Sequence, residues 1–81
     1  MGIAAQVSLY PLGGADIAAG IDQFLTALDE HGLDYEVGSM STVVSGEADA
    51  VFEALRDGFA RAADGNAIVM VATVSNTCPV I

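Results

Sequence analysis

The fold of this chain is decided by thirteen residues near its middle, Tyr35-Glu36-Val37-Gly38-Ser39-Met40-Ser41-Thr42-Val43-Val44-Ser45-Gly46-Glu47. Two segments rich in β-branched or aromatic residues flank a turn that carries the hydroxyls of Ser39, Ser41 and Thr42. This pattern predicts a strand, a polar turn and a second strand. Gly46 then interrupts the strand pattern, and a helical pattern begins at Glu47. The centre of the chain is therefore predicted to be a hairpin that leads directly into a helix.

Strand patterns also occur near both ends of the chain. From Ile3 to Tyr10, apolar residues alternate with others, which is typical of a strand with one buried face. The apolar face carries Ile3, Ala5, Val7 and Leu9, and the opposite face carries Gln6, Ser8 and Tyr10. Pro11, Gly13 and Gly14 predict the end of this strand. From Ala67 to Val74 the residues are apolar on both faces, which predicts a fully buried strand.

Two amphipathic helices are predicted between these strands. The first runs from Asp16, which is placed to cap it, to His31, and Gly32 follows as a left-handed cap. Its apolar residues recur at helical spacing, and they are Ile17, Ile21, Phe24, Leu25 and Leu28. The second helix runs from about Glu47 to Asp64. Its apolar stripe is predicted to comprise Val51, Phe52, Leu55, Phe59 and Ala62.

The order of these elements is βαββαβ, and the chain of 81 residues is long enough for one domain, residues 1–81. We therefore predict an α+β fold of the ferredoxin-like kind, a four-stranded antiparallel sheet with two helices on one face. The other face is left open, although the last strand is apolar on both sides. Hydrophobic residues make up 53% of the chain. A second copy, packed face to face or edge to edge, is the simplest cover, so we expect a homodimer or homotetramer.

The charge of the chain limits its partners. Eleven Asp and Glu residues oppose two Arg residues and no Lys, giving a net charge of −9. We do not expect nucleic acid as a partner, because its phosphates need a basic surface. The acidic surface could concentrate a cationic ligand, or it could simply keep the protein soluble. Residues 1–9 lack the basic segment of a signal peptide, and no apolar run approaches the ~20 residues of a membrane span, so we expect a cytoplasmic protein without membrane insertion.

Catalytic and metal-binding patterns are not found in the sequence. His31 is predicted to interact with the carbonyl groups and dipole at its helix end. Cys78 is the only cysteine, so an internal disulfide or a thiolate metal site is excluded within one chain. The pair Gly13-Gly14 lacks the remaining spacing of a dinucleotide-binding loop. We therefore expect neither an enzyme nor a bound metal or cofactor.

A binding site is the remaining possibility, and polar groups without a structural role indicate where it could lie. Ser8 and Tyr10 are predicted to point away from the core, and Ser41 and Thr42 stand at the mouth of the hairpin. Such hydroxyls, with nearby backbone groups, can match the edge of an aminopyrimidine. Tyr10, Leu9 and Met40 could supply flat or soft apolar walls. The alternative is that Ser41 and Thr42 only satisfy backbone groups of the turn.

Three short sequence motifs, spread over almost the whole chain, occur in the order found in a known family. They are Ser-Leu-Tyr-Pro at residues 8–11, Ser-Thr-Val-Val at residues 41–44 with Gly46 close behind, and Cys-Pro at residues 78–79. With these motifs the chain resembles the thiamine-binding (YKOF-like) family of small ferredoxin-like domains. The chain is a single domain, whereas the better-studied members of that family are tandem.

The resemblance implies a non-catalytic carrier or sensor of thiamine or of its hydroxymethylpyrimidine part. It places the site near Leu9 and Ser41. Small changes in the pocket lining could instead leave a ligand-free structural or regulatory oligomerisation module.

Overall fold

A computed structural model describes residues 1–13 and 17–77 of the chain. Its elements are β1 (Gly2–Leu12), α1 (Ile17–Glu30), β2 (Asp34–Val37), β3 (Thr42–Glu47), α2 (Ala48–Ala62) and β4 (Ala67–Ser75). This order confirms the predicted βαββαβ fold. The predicted cap Asp16, the loop residue Gly14, and Cys78 with Pro79 lie outside the described residues. Neither described helix is long and apolar enough to cross a membrane.

The four strands form one antiparallel sheet in the order β2-β3-β1-β4. Ala5 lies in the centre of the sheet, opposite Val44 on one side and Val74 on the other. Because successive side chains of a strand point to opposite faces, the buried Ala5 defines the face that the helices cover. Ser8 and Tyr10 therefore lie on the open face, as the alternation of β1 predicted.

The core lies between the sheet and the two helices. It contains apolar residues from β1, β3 and both helices: Ile3, Ala5, Val7, Phe24, Leu28, Val44, Ala48, Val51, Ala54 and Leu55. Phe24 of α1 is fully buried and lies directly against Gly58 of α2. The two helices can therefore approach closely at this point.

The first strand is longer than predicted, since it ends at Leu12 and not at Tyr10. Its pairing with β3 ends at Val7, whereas its pairing with β4 continues past Pro11. Of the described strands, β1 therefore has a neighbour on one side only at Pro11. A proline is tolerated at such an edge position because only one ladder is present there.

The prediction of a fully buried last strand is wrong within the single chain. β4 is an edge strand, and among the described strands it pairs with β1 alone. Val69 and Val71 on the open face are 42% and 51% exposed, and Val74 on the helix side is 40% exposed. The strand is apolar on both faces, yet neither face is fully covered. It consequently leaves an apolar surface in contact with water.

The predicted apolar stripe of α2 is wrong at Phe52, which is 52% exposed, and Phe59 is also exposed. The buried residues of this helix are Ala48, Val51, Ala54, Leu55, Gly58 and Ala62. The prediction counted large apolar side chains and overlooked the small ones. Gly58 lies against α1, and Ala54, one turn earlier, is also buried, so the buried face is rotated away from Phe52.

Two helical glycines provide a test of this packing. A Cβ at Gly58 would lie 2.6 Å from Cδ1 of Phe24, whereas a Cβ at Gly20 of α1 would lie 4.0 Å from Cβ of Ala62. Gly20→Ala should stabilise the protein by about 0.5–1 kcal/mol through reduced backbone entropy in the unfolded chain. Gly58→Ala has the same advantage but should overpack the core at a cost of about 1–3 kcal/mol. In urea denaturation, the free energy of unfolding should be lower for Gly58→Ala than for Gly20→Ala. Equal values would contradict the close contact between Gly58 and Phe24.

An ion cluster joins the ends of the two helices. Arg61 donates two hydrogen bonds to the Glu30 carboxylate, at 3.1 Å and 2.6 Å, and one to Asp57 at 3.2 Å. The Nε2 atom of His31 lies 3.3 Å from the same Asp57. Asp57, on the neighbouring helix, is thus the partner of the His31 side chain, whereas the sequence had suggested the carbonyls of its own helix end.

The cluster lowers the pKa values of two carboxyl groups. The hydrogen bonds from Arg61 lower the pKa of Glu30. Partial burial opposes ionisation of Asp57, but hydrogen bonds from His31 and Arg61 outweigh it and lower the pKa of Asp57. Because both pKa values are lower in the folded protein, the cluster stabilises the fold at pH values above 4.5, the ordinary pKa of Glu. This contribution is lost as the pH falls through the lowered values.

Arg61→Ala should therefore lower the melting temperature at pH 7, and its difference from the wild type should shrink as the pH falls below about 4. The effect should be modest because the Glu30 side chain is largely exposed. Arg56→Ala is the matched control, since it removes the same charge from an exposed position of the same helix. If the melting temperatures of wild type and Arg61→Ala differ by the same amount from pH 7 to pH 3, this role of the cluster is contradicted.

Candidate functional site

An open cleft with a volume of about 220 Å³ lies where the turn of residues 38–41 meets β1 and α1. This turn joins β2 to β3. The cleft is lined by Val7, Ser8, Leu9, Ile21, Phe24, Val37, Gly38, Ser39, Met40, Ser41 and Thr42. It combines an apolar wall with hydroxyl and backbone groups, which is the usual composition of a small-molecule site.

The apolar wall of the cleft is an extension of the protein core. Val7 and Phe24 are buried, and Leu9 packs against the same core. A side chain fixed by core packing cannot easily rotate away from a ligand. Met40, by contrast, is the most exposed large apolar side chain among the described residues. Its flexible thioether could adapt to a bound ring.

The turn of residues 38–41 is held in place by three hydrogen bonds. Within the turn, the backbone N–H of Gly38 donates to the carbonyl of Ser41 at 2.8 Å. From β1, the Ser8 hydroxyl donates to the carbonyl of Met40 at 3.3 Å. The Gln6 side-chain amide donates to the Ser41 hydroxyl at 3.2 Å. The position of the turn therefore depends on two side chains of the neighbouring strand.

Thr42 and Ser41 differ in their surroundings although they are adjacent. Thr42 is paired with Val7 on the helix side of the sheet and is only 8% exposed. It is the one buried polar side chain among the described residues. The Ser41 hydroxyl instead contacts Gln6, whose side chain belongs to the open face. The two side chains therefore belong to opposite faces of the sheet, although both residues line the cleft.

The structure brings five of the six predicted site residues together. Those five, which all line the cleft, are Ser8, Leu9, Met40, Ser41 and Thr42. Tyr10 does not line it; its side chain is 51% exposed and lies on the open face two residues beyond Ser8, farther from the turn.

The sequence did not indicate that residues of α1 and β2 also contribute to the cleft. Ile21 and Phe24 of α1 and Val37 of β2 line it as well. The apolar stripe of α1 included Ile21 and Phe24, but the stripe does not indicate which part of the helix lies over the turn. That information depends on the three-dimensional arrangement of the helix and the hairpin.

Among the described residues, those that line the cleft carry no ionisable side chain. The described residues also contain no group of three or more His, Cys, Asp or Glu side chains that could hold a metal ion. The groups available in the cleft can accept or donate hydrogen bonds and can pack against a flat ring. They offer no side chain for proton transfer near neutral pH.

A second cleft, of about 340 Å³, lies between the helices and includes Gly20, Gln23, Arg61, Asp64 and Asn66. Its cation, Arg61, is already paired with Glu30 and Asp57. An anionic ligand would have to compete with both carboxylates. The cleft at the turn is therefore the better candidate site.

Solved structures with the same fold come from bacteria and an archaeon. A protein of Streptococcus pneumoniae has a TM-score of 0.83 at 23% identity, and the match covers 99% of this chain and 90% of that one. A hypothetical protein of Methanocaldococcus jannascii has a TM-score of 0.84 at 22% identity, covering 95% and 81%. A Thermotoga maritima protein, provisionally assigned to thiamine biosynthesis or salvage, has a TM-score of 0.80 at 16% identity, covering 95% and 85%. At these identities the likeness shows the shared fold.

Comparison at the level of sequence gives a more specific result. None of the curated proteins matches the chain significantly. The model of the YKOF-related family, however, matches residues 3–80. This match includes both strands and the turn that form the cleft, as well as the two helices. The chain therefore belongs to the YKOF-related family.

Proposed function

We propose that this protein is a non-catalytic, cytoplasmic binding protein, a carrier or sensor, for thiamine or its hydroxymethylpyrimidine part. The observation that carries the proposal is the cleft at residues 38–41, whose described lining joins an apolar wall to hydroxyl groups and contains no ionisable side chain. Membership of the YKOF-related family supports the assignment. So does the fold shared with the Thermotoga maritima protein provisionally assigned to thiamine biosynthesis or salvage.

The chemistry of the cleft suits a substituted pyrimidine. A flat ring can lie against the core residues Leu9 and Phe24, and Met40 can cover its other side. The ring nitrogens and amino group can exchange hydrogen bonds with the Thr42 hydroxyl and with backbone groups of the turn. A cleft of about 220 Å³ is small for a whole cofactor but fits one heteroaromatic ring.

An unphosphorylated ligand is favoured by the charges around the cleft. Phosphate groups are usually bound by Arg, Lys or a helix N-terminus, and the lining contains neither cationic residue. The net charge of −9 would repel phosphate and would attract the cationic thiazolium ring of thiamine.

Isothermal titration calorimetry tests this proposal directly. Thiamine and hydroxymethylpyrimidine, titrated separately into the protein, should each bind at one site per chain. Thiamine monophosphate should bind more weakly because its phosphate meets an acidic surface. Native mass spectrometry of freshly purified protein should also detect a copurified pyrimidine. No binding of any of these compounds would favour the alternative function, a ligand-free structural or regulatory oligomerisation module.

Self-association is part of the proposal under either function. The observation that supports it is β4, an edge strand with exposed apolar residues on both faces. Uncovered strand edges and apolar patches of this kind commonly mark interaction surfaces. We therefore propose that the protein forms a homodimer or a homotetramer.

A further inference from the structure

The open face of the sheet is divided into two halves of different chemistry. Its β1–β4 half carries four exposed apolar side chains, Tyr10, Leu12, Val69 and Val71. Its β2–β3 half carries three acidic side chains, Asp34, Glu36 and Glu47. The boundary between the halves runs along β1, where Gln6 and Ser8 point to the same face.

A second copy of this chain fits the divided face. A two-fold axis above β1 and β4 and parallel to them would place one β1–β4 half on the other. The two acidic halves would then lie at opposite outer edges, where they remain hydrated and apart. A standard interface covers about 800 Å² per partner, roughly one sixth of the 4778 Å² surface of this chain. Anionic partners such as nucleic acids or acidic lipids would be repelled by the β2–β3 half.

A partner docked on the β1–β4 half would affect the ligand cleft through two hydrogen bonds that hold the turn of residues 38–41. Ser8 lies directly opposite Val71, and its hydroxyl holds the carbonyl of Met40. Gln6, two residues earlier, holds the hydroxyl of Ser41. Both bonds are exposed in the single chain, where water competes for the same groups. A partner that covers them would exclude this water and keep residues 38–41 in their binding position.

We propose that a second copy docks on the β1–β4 half of the open face and thereby tightens ligand binding in the cleft, with Gln6 and Ser8 as positioning residues. The cleft borders the docking surface at Ser8, so the ligand and the partner act on the same turn. By thermodynamic reciprocity, each bound ligand must then tighten self-association by the same factor. This inference rests on the proposed ligand class.

Affinity measured as a function of protein concentration tests the linkage. Hydroxymethylpyrimidine should bind wild-type protein about fivefold or more tightly above the dissociation constant of the dimer than below it. Val71→Glu places a charge in the docking surface. This variant should bind hydroxymethylpyrimidine with the weaker affinity at every protein concentration. Gln6→Ala should still dimerise but should lose most of the concentration dependence. Glu36→Gln is the control, because it changes the acidic half and should preserve the dependence.

Hydrogen exchange provides a readout that needs no ligand. The amide of Gly38, which closes the turn, should exchange more slowly as wild-type protein dimerises, and this slowing should be absent in Gln6→Ala. Ligand affinity that is the same in wild type and Val71→Glu at all concentrations would overturn the linkage and leave the proposed function intact. Failure of the wild type to bind the pyrimidine at all would overturn both. A Gly38 exchange rate that does not change with dimerisation would overturn the linkage alone.

Discussion

Val71→Glu should convert the protein from an oligomer into a monomer of 8.2 kDa at micromolar concentration. The side chain of Val71 is half exposed in the single chain and belongs to the apolar half of the open face, opposite Ser8. An unpaired charge buried in an interface costs about 3 kcal/mol or more, which corresponds to a loss of roughly a hundredfold in affinity. Sedimentation velocity of wild type and variant over a range of concentrations would measure this change.

Val74→Glu is the matched control for this experiment. Val74 lies on the same strand with similar exposure, but its side chain belongs to the helix side of the sheet. If assembly uses the open face, this variant should still associate. Dimers that tolerate both changes would indicate pairing of β4 edges through their backbones and would contradict docking on the open face. A wild-type protein that sediments only as the monomer would contradict self-association altogether.

Thr42→Val should weaken the binding of thiamine and hydroxymethylpyrimidine by about tenfold or more. Valine has nearly the shape of threonine, so the substitution removes the hydroxyl beside the cleft without creating a cavity. A directed hydrogen bond lost in a shielded site costs roughly 1–3 kcal/mol. Calorimetry with both ligands would measure the loss, and thermal unfolding would confirm that the variant remains folded.

Ser41→Ala should have a smaller effect than Thr42→Val, because the Ser41 hydroxyl already accepts a hydrogen bond from Gln6. Changing both residues should remove detectable binding, since the turn and the ligand would each lose a hydrogen bond. Ser45→Ala is the control, as it removes an exposed hydroxyl from the same strand outside the cleft. If the double variant binds the ligand with unchanged affinity, the ligand uses another site.

The order of the elements was predictable because each is marked by a local pattern. The alternation in β1 assigned Ser8 and Tyr10 to the open face correctly, and Gly32 adopts the positive φ that a left-handed helix cap requires. The exposed position of β4 was not predictable in the same way. Apolar residues on both faces of a strand indicate that both faces avoid water, but they do not say whether the cover belongs to the same chain.

Only some residues of the cleft were predictable from the sequence. They lie close together along the chain or carry a hydroxyl group that has no evident structural role. Ser41 and Thr42 were found, but their separation onto different sides follows from strand alternation and had been overlooked. Phe24 could not be assigned to the cleft, because its place in the helical stripe fits any core residue. The exposure of Phe52 depended on how closely the small residues of α2 allow the helices to approach.

The contact between Gly58 and Phe24 gives the helix layer an influence on ligand size. Phe24 is both a core residue and part of the cleft wall, and its ring rests against the bare backbone of Gly58 on the other helix. Any change that pushes the Phe24 ring towards the turn of residues 38–41 narrows the cleft from the side of the helices. An engineer who wishes to admit larger heterocycles could therefore vary the spacing of the two helices and leave every residue of the turn unchanged.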